Sequence, residues 1–185
     1  MKGYRKFLES SLFAVLILNL IFFISPVFAQ YFTIDKFHSD IMIQENSSMI
    51  FKETIDVKFH QPRHGIYREI PFRYTDELGA KITTPTRILS VADASGKAWK
   101  YDVEKTGQVI HVRIGDAKRY VDGNQTYVIT YEVENAILFL KDHDELYWNF
   151  TGNDWKAPIQ EASATVSLIT KNKSKNLMAA GYEGV

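Results

Sequence analysis

The stretch MIFKETIDVKF, residues 49–59, carries an apolar side chain at nearly every second position. Its even-numbered residues are polar apart from Ile50, and its odd-numbered residues are apolar apart from Glu53. A period of two is the spacing of side chains on one face of a β-strand. The stretch therefore predicts a strand with one buried face, on which Glu53 is the single charged residue. The odd-numbered set is Met49, Phe51, Glu53, Ile55, Val57 and Phe59.

The same alternation recurs at residues 108–114, 126–134 and 162–168. Turns rich in Asn, Asp, Ser or Gly lie between such stretches, at residues 45–48, 93–96, 105–107 and 122–124. After residue 29 no segment shows the apolar stripe of an amphipathic helix. The pattern predicts an all-β domain of about seven or eight strands, built as an antiparallel two-sheet β-sandwich of the immunoglobulin-like kind. A closed barrel is the alternative. In the last stretch the predicted inward residues are Ala162, Ala164, Val166 and Leu168.

Residues 1–29 have the three parts of a secretory signal peptide: a basic start, an apolar run and a small-residue end. The apolar run, residues 12–24, is shorter than the roughly 20 residues that a membrane span needs. We predict a signal-peptide helix that is cleaved before Gln30. An uncleaved anchor is the alternative, but Pro26 ends a helix close to the predicted cut and favours cleavage. The basic residues are Lys2, Arg5 and Lys6.

The remaining residues, 30–185, have the size of one ordinary domain, which buries about two-thirds of the surface of its unfolded chain. They carry 19 Lys and Arg residues against 21 Asp and Glu residues. So small an imbalance gives no electrostatic basis for binding nucleic acid. The chain contains no cysteine, which excludes disulfides, thiol nucleophiles and thiolate metal sites. An exported domain of this composition must be held together by its hydrophobic core.

Two segments interrupt the alternation. The first, PRHGIYREIP at residues 62–71, contains a glycine at which the chain can turn and ends at a proline. The second, DHDELYWNFTGNDW at residues 142–155, mixes acidic and aromatic residues with a Gly-Asn turn. Eight residues of these two segments are candidate interaction or motif residues: His64, Gly65, Tyr67, Arg68, Asp144, Glu145, Trp148 and Trp155.

In these segments the chain resembles the YciQ-like family, predicted bacterial membrane proteins that share a domain of unknown function. The resemblance rests on HGIYREIP at 64–71, on DELYWN at 144–149, and on the Thr-Gly-Asn and Trp that follow. It implies an exported β-sandwich, here residues 30–170, followed by transmembrane helices in the longer protein. Residues 171–185 are then expected to begin a truncated continuation of the domain. The resemblance implies no reaction, because none is established for the family.

The charged residues of the two segments have two interpretations. Arg68, beside Glu69, could form a buried ion pair that locks the segments together, with Asp144 or Glu145 as the distant carboxylate. The same carboxylates could instead act as the general acid and base of a hydrolase. Ion-pair networks in scaffolds are commoner than catalytic pairs, so we expect a structural role and no catalytic residues.

The sequence predicts no metal site and no cofactor. The five histidines lack a metal-ligand spacing, and the acidic run at 142–145 lacks the glycine of a calcium-binding loop. The alternative is a metal site built from Asp142, Asp144, Asn153 and Asp154. The residues Tyr147, Trp148 and Trp155 also suggest a flat aromatic platform for a sugar ring. Because aromatic residues usually pack inward, we favour a core position for Trp148 and leave the role of Trp155 open.

These observations together predict a non-enzymatic, extracytoplasmic interaction domain of a bacterial cell-envelope membrane protein. We expect it to be exported to the periplasmic or extracellular face of the cytoplasmic membrane. Its expected partner is an envelope protein or an envelope glycan, and it contacts the membrane through segments that this chain does not contain. The first alternative is an envelope glycan-binding module, and the second is a carboxylate-based hydrolase.

Overall fold

The structure is a computed structural model that describes residues 30–75, 79, 81–152, 155–169 and 178–179. Within these ranges, no helix has the length and apolarity needed to cross a bilayer. The predicted signal peptide lies outside the described residues, and so does nearly all of the predicted continuation after residue 170.

All regular structure in the described ranges is β-strand, which confirms the all-β prediction. The strands number twelve there rather than seven or eight, because four of them have only three residues and are too short to show an alternation. The strands are β1 (Phe32–Ile43), β2 (Met49–Arg63), β3 (Gly65–Pro71), β4 (Arg73–Thr75), β5 (Lys81–Thr83), β6 (Thr86–Ala92), β7 (Tyr101–Thr106), β8 (Val109–Gly115), β9 (Val121–Val133), β10 (Ile137–Phe139), β11 (Asp144–Leu146) and β12 (Ala162–Leu168).

The largest sheet has five strands in the order β12-β1-β2-β9-β6. Its neighbours are antiparallel except for β12 and β1, which are parallel, so the expectation of a wholly antiparallel arrangement is wrong at this edge. Parallel neighbours cannot be joined by a tight hairpin, and residues 158–161 lie beside the beginning of β1. There Ile159 forms a parallel bridge with Ile34, and the amide of Phe37 donates to the carbonyl of Glu161 at 2.8 Å.

A second sheet has three antiparallel strands in the order β3-β8-β7, and two hairpins pair β4 with β5 and β10 with β11. Strand β3 is part of the first motif segment, which the sequence pattern had marked as an interruption. Its residues in fact alternate: Ile66, Arg68 and Ile70 are buried, whereas Tyr67 and Pro71 are exposed. The alternation is hidden in the sequence because the charged Arg68 occupies an inward position.

One hydrophobic cluster contains buried residues of both the five-stranded and the three-stranded sheet. The odd-numbered face of β2 is buried as predicted, and Glu53 on that face is fully buried as well. Each fully buried aliphatic or phenylalanine side chain contributes roughly 1.5–3 kcal/mol to stability. The five-stranded sheet supplies Phe37, Phe51, Ile55, Tyr127, Ile129 and Tyr131, and the three-stranded sheet supplies Ile66, Ile70, Ile110, Val112 and Ile114.

Strand β12 does not bury the face that its alternation predicted. The register places Val166 beside Ile41 and Leu168 beside Ile43, which is the core-facing side of β1. Nevertheless Val166 is 57% exposed and Leu168 is 46% exposed, and Ala162 and Ala164 are exposed as well. These side chains are exposed because β12 is an edge strand, which has a neighbouring strand on one side only. An alternation in the sequence does not record which strand lies at an edge.

The pairing of β3 with β8 depends on two glycines that face each other, Gly65 and Gly115. Their φ angles are +131° and +134°, and residues other than glycine rarely adopt this backbone conformation. A Cβ on Gly65 would lie 1.9 Å from the carbonyl oxygen of Ile114, which is a backbone atom. The close approach of these two strands therefore requires glycine at position 65.

Replacing Gly65 tests this close approach. Gly65→Ala is expected to lower the free energy of unfolding by about 3 kcal/mol or more, because backbone strain of roughly 1–3 kcal/mol is added to a steric clash. Gly96→Ala is the matched control, since Gly96 also has a positive φ of +86° but open space around it. We expect it to cost about 1–2 kcal/mol. Chemical denaturation measures both, and equal losses would contradict the close approach.

Candidate functional site

The centre of the first motif segment is a buried ion pair between Arg68 of β3 and Glu53 of β2. Arg68 Nε donates to Glu53 Oε2 at 2.8 Å, and Arg68 Nη2 donates to Glu53 Oε1 at 2.6 Å. The two side chains are 3% and 0% exposed. This is the bidentate geometry in which a planar guanidinium binds a carboxylate most strongly.

The hydrogen-bonding atoms of the pair itself have further partners. The hydroxyl of Tyr131 on β9 donates to Glu53 Oε1 at 2.7 Å. Arg68 Nη1 donates to the carbonyls of Glu69 and Thr151 at 2.9 and 3.0 Å, and Nη2 donates to the carbonyl of Phe150 at 3.2 Å. All five N–H groups of the guanidinium therefore have an acceptor. A charge can be buried at tolerable cost only when it is both paired and hydrogen-bonded in this way.

The prediction that Asp144 or Glu145 is the carboxylate partner of Arg68 is wrong. Glu69 follows Arg68 in the strand and points to the opposite face, where its side chain contacts His111 at 3.1 Å. Asp144 and Glu145 are exposed on β11. The partner is Glu53, which the sequence had already distinguished as the one charge on the apolar face of β2. A buried carboxylate requires a cation, and that requirement was the signal that could have identified Glu53 as a site residue.

The second motif segment is joined to the first through the carbonyls of Phe150 and Thr151, both of which accept from Arg68. Trp155 supports the same loop, since its Nε1 donates to the carbonyl of Thr151 at 2.8 Å. Its ring also packs edge-on against Phe37, with centroids 6.2 Å apart, and lies 5.7 Å from Arg68 Cζ. Arg68 and Trp155 thus lie together where the two motif segments meet.

The aromatic residues of the second segment do not form the platform considered for a sugar ring. Trp148 is half-buried and packs against Phe51 with centroids 5.0 Å apart, as the core interpretation expected. Trp155 is half-buried against Phe37, whereas Tyr147 is 71% exposed. Two of the three rings therefore contribute to packing.

The first residues of the motif have different surroundings. His64 is exposed, and its Nδ1 lies 3.2 Å from the carbonyl oxygen of Asp116 and 2.9 Å from that of Arg119. Because both partners are acceptors, Nδ1 carries the proton in this arrangement. The ring of His64 also lies 4.1 Å from the ring of Tyr120. Tyr67 is exposed on the outer face of the three-stranded sheet, opposite Arg113 in the register.

The surroundings of Arg68 and Tyr131 determine the charge state of each side chain. Burial by itself lowers the pKa of Arg68, but the Glu53 carboxylate more than offsets this and holds that pKa above its ordinary value. Burial, together with the charge of Glu53, raises the pKa of Tyr131 well above its ordinary range. Arg68 therefore stays charged and Tyr131 stays a neutral donor near neutral pH. Neither group is suited to exchange a proton with a substrate there.

No group of three or more potential metal-ligating side chains is found among the residues that the structure describes. Of the four residues considered for a metal site, Asn153 and Asp154 lie outside the described residues. Asp142 contacts the ring of His143 at 3.0 Å, and Glu145 lies 3.8 Å from the same ring. These contacts lie on an exposed surface.

Removing the buried cation is the direct test of the network. Arg68→Met is expected to lower the free energy of unfolding by about 3–5 kcal/mol, because it leaves Glu53 buried without a countercharge. The matched control is Arg113→Met, since Arg113 pairs with Asp102 on the surface. An exposed pair contributes less than about 1 kcal/mol. Urea denaturation compares the two variants, and similar losses for both would show that the buried pair has no special role.

Trp155 is tested separately. Trp155→Ala is expected to lower the free energy of unfolding by about 2–4 kcal/mol, because it removes packing against Phe37 and the hydrogen bond to Thr151. Tyr147→Ala removes an exposed ring and should change stability by no more than about 0.5 kcal/mol. Denaturation of both variants is the measurement. If Trp155→Ala is as stable as the unmodified chain, Trp155 is a surface residue available to a ligand.

Solved structures with a weak backbone similarity include an M1 zinc metallopeptidase from Deinococcus radiodurans and native yeast LTA4 hydrolase. The first is 9% identical, covers 56% of this chain and 20% of its own, and gives a TM-score of 0.37. The second is 15% identical, covers 60% of this chain and 17% of its own, and gives a TM-score of 0.42. Similarities this weak carry no argument about function.

Sequence comparison gives a more specific result. The chain is 30% identical over 147 residues to the uncharacterized protein YciQ of Escherichia coli (strain K12). The matched region covers 77% of this chain but only 23% of that relative, so the chain spans about a quarter of the relative's length. Residues 33–183 match the family described as predicted membrane protein (DUF2207), N-terminal domain. The chain therefore belongs to this family of predicted membrane proteins, as the resemblance in its two motif segments indicated.

Proposed function

We propose that this chain is a non-enzymatic, extracytoplasmic interaction domain of a cell-envelope membrane protein. It holds an envelope protein or an envelope glycan close to the membrane. Membership of a family of predicted membrane proteins supports the attachment to a membrane. The signal-peptide pattern of residues 1–29 supports export, and with it a place on the periplasmic or extracellular face of the cytoplasmic membrane.

The observation that carries the non-enzymatic part of the proposal is the complete use of Arg68. Every N–H of its guanidinium donates to a protein acceptor, and its countercharge Glu53 is fully buried. The most unusual charged group of the motif is therefore committed to joining chain segments. A substrate-binding arginine keeps donors available for its substrate, and Arg68 keeps none.

The hydrolase alternative is weakened by the geometry of its two candidate carboxylates. Asp144 and Glu145 are consecutive residues of β11, and successive side chains of a strand point to opposite faces. A carboxylate pair that cleaves a glycosidic bond must flank one substrate from the same cavity. These two residues cannot do so while β11 remains a strand.

The form that we propose for the domain is the immunoglobulin-like two-sheet sandwich, and the hydrophobic cluster shared by both sheets supports it. In such a sandwich the outer face of the three-stranded sheet is open to a partner. Tyr67 is 63% exposed on this face, with the Glu69–His111 and Arg113–Asp102 contacts beside it. A large exposed aromatic residue surrounded by polar side chains is the composition of a protein-binding surface.

Photo-cross-linking in bacterial cells tests the proposal. A photo-reactive amino acid replaces Tyr67 in the full chain, and a second version carries it at the exposed Tyr147. We expect an envelope protein to be captured from position 67 and to be absent from the position 147 control. A version that lacks residues 1–29 should capture no envelope component, because export requires the signal peptide.

The outcomes separate the three functions. Retention of polysaccharide without a captured protein would favour the glycan-binding module. Capture of the same components from positions 67 and 147 would contradict a partner surface at Tyr67. Capture of envelope proteins without residues 1–29 would contradict export by the predicted signal peptide. Turnover of an envelope polymer by the purified chain would contradict the non-enzymatic proposal.

A further inference from the structure

An open cavity of about 390 Å³ lies where the β6–β7 connection, the end of β8 and the beginning of β9 meet. Small-molecule sites in proteins are commonly about 300–1,000 Å³ in volume, so the cavity has room for one sugar unit. The sequence pattern did not identify it, because its lining comes from three separate turns. The aromatic and charged lining includes Trp99, Tyr120, Lys97, Arg119, Asp93 and Asp116.

Two aromatic rings of the cavity are held in place by other rings. Trp99 stacks on Tyr127 with centroids 5.0 Å apart, and its Nε1 donates to the carbonyl of Thr126 at 3.4 Å. Tyr120 is largely exposed and lies 4.1 Å from the ring of His64. Rings fixed in this way lose little conformational freedom when a ligand packs against them.

The two carboxylates of the cavity are held in place by hydrogen bonds from the protein. Asp93 Oδ1 accepts from the hydroxyl and the amide of Ser95 and from the amide of Lys97, and the Ser95 hydroxyl is the main cause of a lowered pKa of Asp93. Asp116 accepts from the amide of Lys118 and contacts Lys100 at 3.4 Å. The amide hydrogen bond and the Lys100 charge lower the pKa of Asp116. Both groups therefore stay ionised near neutral pH.

Two further cations of the cavity act on these carboxylates without a close ion pair, since the charge of Lys97 contributes to the lowered pKa of Asp93 and that of Arg119 to the lowered pKa of Asp116. Among the residues that the structure describes, no carboxylate lies within ion-pair distance of Lys97 or Arg119. With Lys100, the cavity has three cations against the carboxylates of Asp93 and Asp116, a net charge of +1. This balance suits a ligand with a single negative charge. A polyanion would be repelled by the two fixed carboxylates.

The first residues of the motif at 64–71 hold part of the cavity lining in place. His64 Nδ1 binds the carbonyls of Asp116 and Arg119 and so fixes the turn that carries Arg119. Gly65 allows β3 to approach β8 closely at Gly115, and Gly115 itself lines the cavity. His64 and Gly65 therefore position the cavity lining, whereas Arg68 in the same motif joins the sheets.

We propose that this cavity binds an acidic monosaccharide unit, a pyranose ring that carries one carboxylate. The apolar face of the sugar ring packs against the Trp99 and Tyr120 rings. The carboxylate is bound by Arg119 and Lys97, and the ring hydroxyls donate to Asp93 and Asp116. The inference rests on the proposed function for its source of ligand, since export would place the domain among envelope glycans.

The test is a titration of the purified full chain with D-glucuronate, D-galacturonate and N-acetylmuramate, followed by the indole N–H signals in NMR. The chain has three tryptophans, so the Trp148 and Trp155 signals serve as internal controls for the Trp99 signal. We expect the Trp99 signal to shift saturably with at least one acidic sugar, with a Kd of about 1–10 mM. D-glucose should bind at least about 10-fold more weakly, because it lacks the carboxylate. Acetate alone should leave the signal unchanged.

Matched variants identify the residues that bind. Arg119→Gln should weaken binding of the acidic sugar by about 10-fold, because it removes a charge-assisted hydrogen bond. Lys118→Gln changes the net charge equally at the neighbouring position, whose side chain is not part of the lining, and should change the Kd by less than about twofold. Tyr120→Ala should weaken binding as well, and melting curves confirm that each variant is folded.

Several results would overturn the proposal. They are an unchanged Trp99 signal with all three acidic sugars, equal binding of D-glucose and D-glucuronate, an equal effect of acetate, and equal weakening by Arg119→Gln and Lys118→Gln. Export has no part in this titration. A failure here therefore leaves the cross-linking result at Tyr67 unaffected, and a failure of export leaves the titration unaffected.

Discussion

The burial of one positive charge constrains the rest of this domain. A guanidinium in the protein interior needs a carboxylate at bidentate distance and an acceptor for each further N–H, and otherwise the buried charge costs several kcal/mol. Arg68 receives its carboxylate from β2, and Tyr131 of β9 satisfies the same carboxylate. The carbonyls of Phe150 and Thr151 complete the set. One side chain thereby joins β2 of the five-stranded sheet, β3 of the three-stranded sheet and the carbonyls of residues 150–151.

The motif at residues 64–71 has two structural roles, one in the hydrophobic core and one beside the cavity. Ile66 and Ile70 bury apolar surface on either side of Arg68, which explains why charged and apolar residues share one face of β3. His64 and Gly65 lie at the other end, beside the cavity lined by aromatic and cationic side chains. A single short segment therefore supports both the interior of the domain and the lining of this cavity. This division gives the motif a physical meaning that does not require catalysis.

The sequence predicted the parts of the fold that local pattern controls. The alternation at residues 49–59 correctly indicated β2 and the inward position of Glu53, because side-chain direction in a strand depends only on neighbouring residues. The partner of Arg68 was not predictable in this way, since Glu53 lies fifteen residues away on another sheet. The exposure of Val166 was missed for a similar reason, because the position of a strand within a sheet is a property of the whole chain.

The central claim is that Arg68 holds the loop at residues 149–152 to the core. Hydrogen exchange of the Trp155 indole N–H and the Gly152 amide, which donate to Thr151 and Asn149, measures this directly. In Arg68→Lys the charge remains but the bidentate fork is lost. We predict that both groups then exchange at least about 10-fold faster, while the amides of β2 and β9 keep their protection. Unchanged exchange of these two groups in Arg68→Lys would contradict the claim.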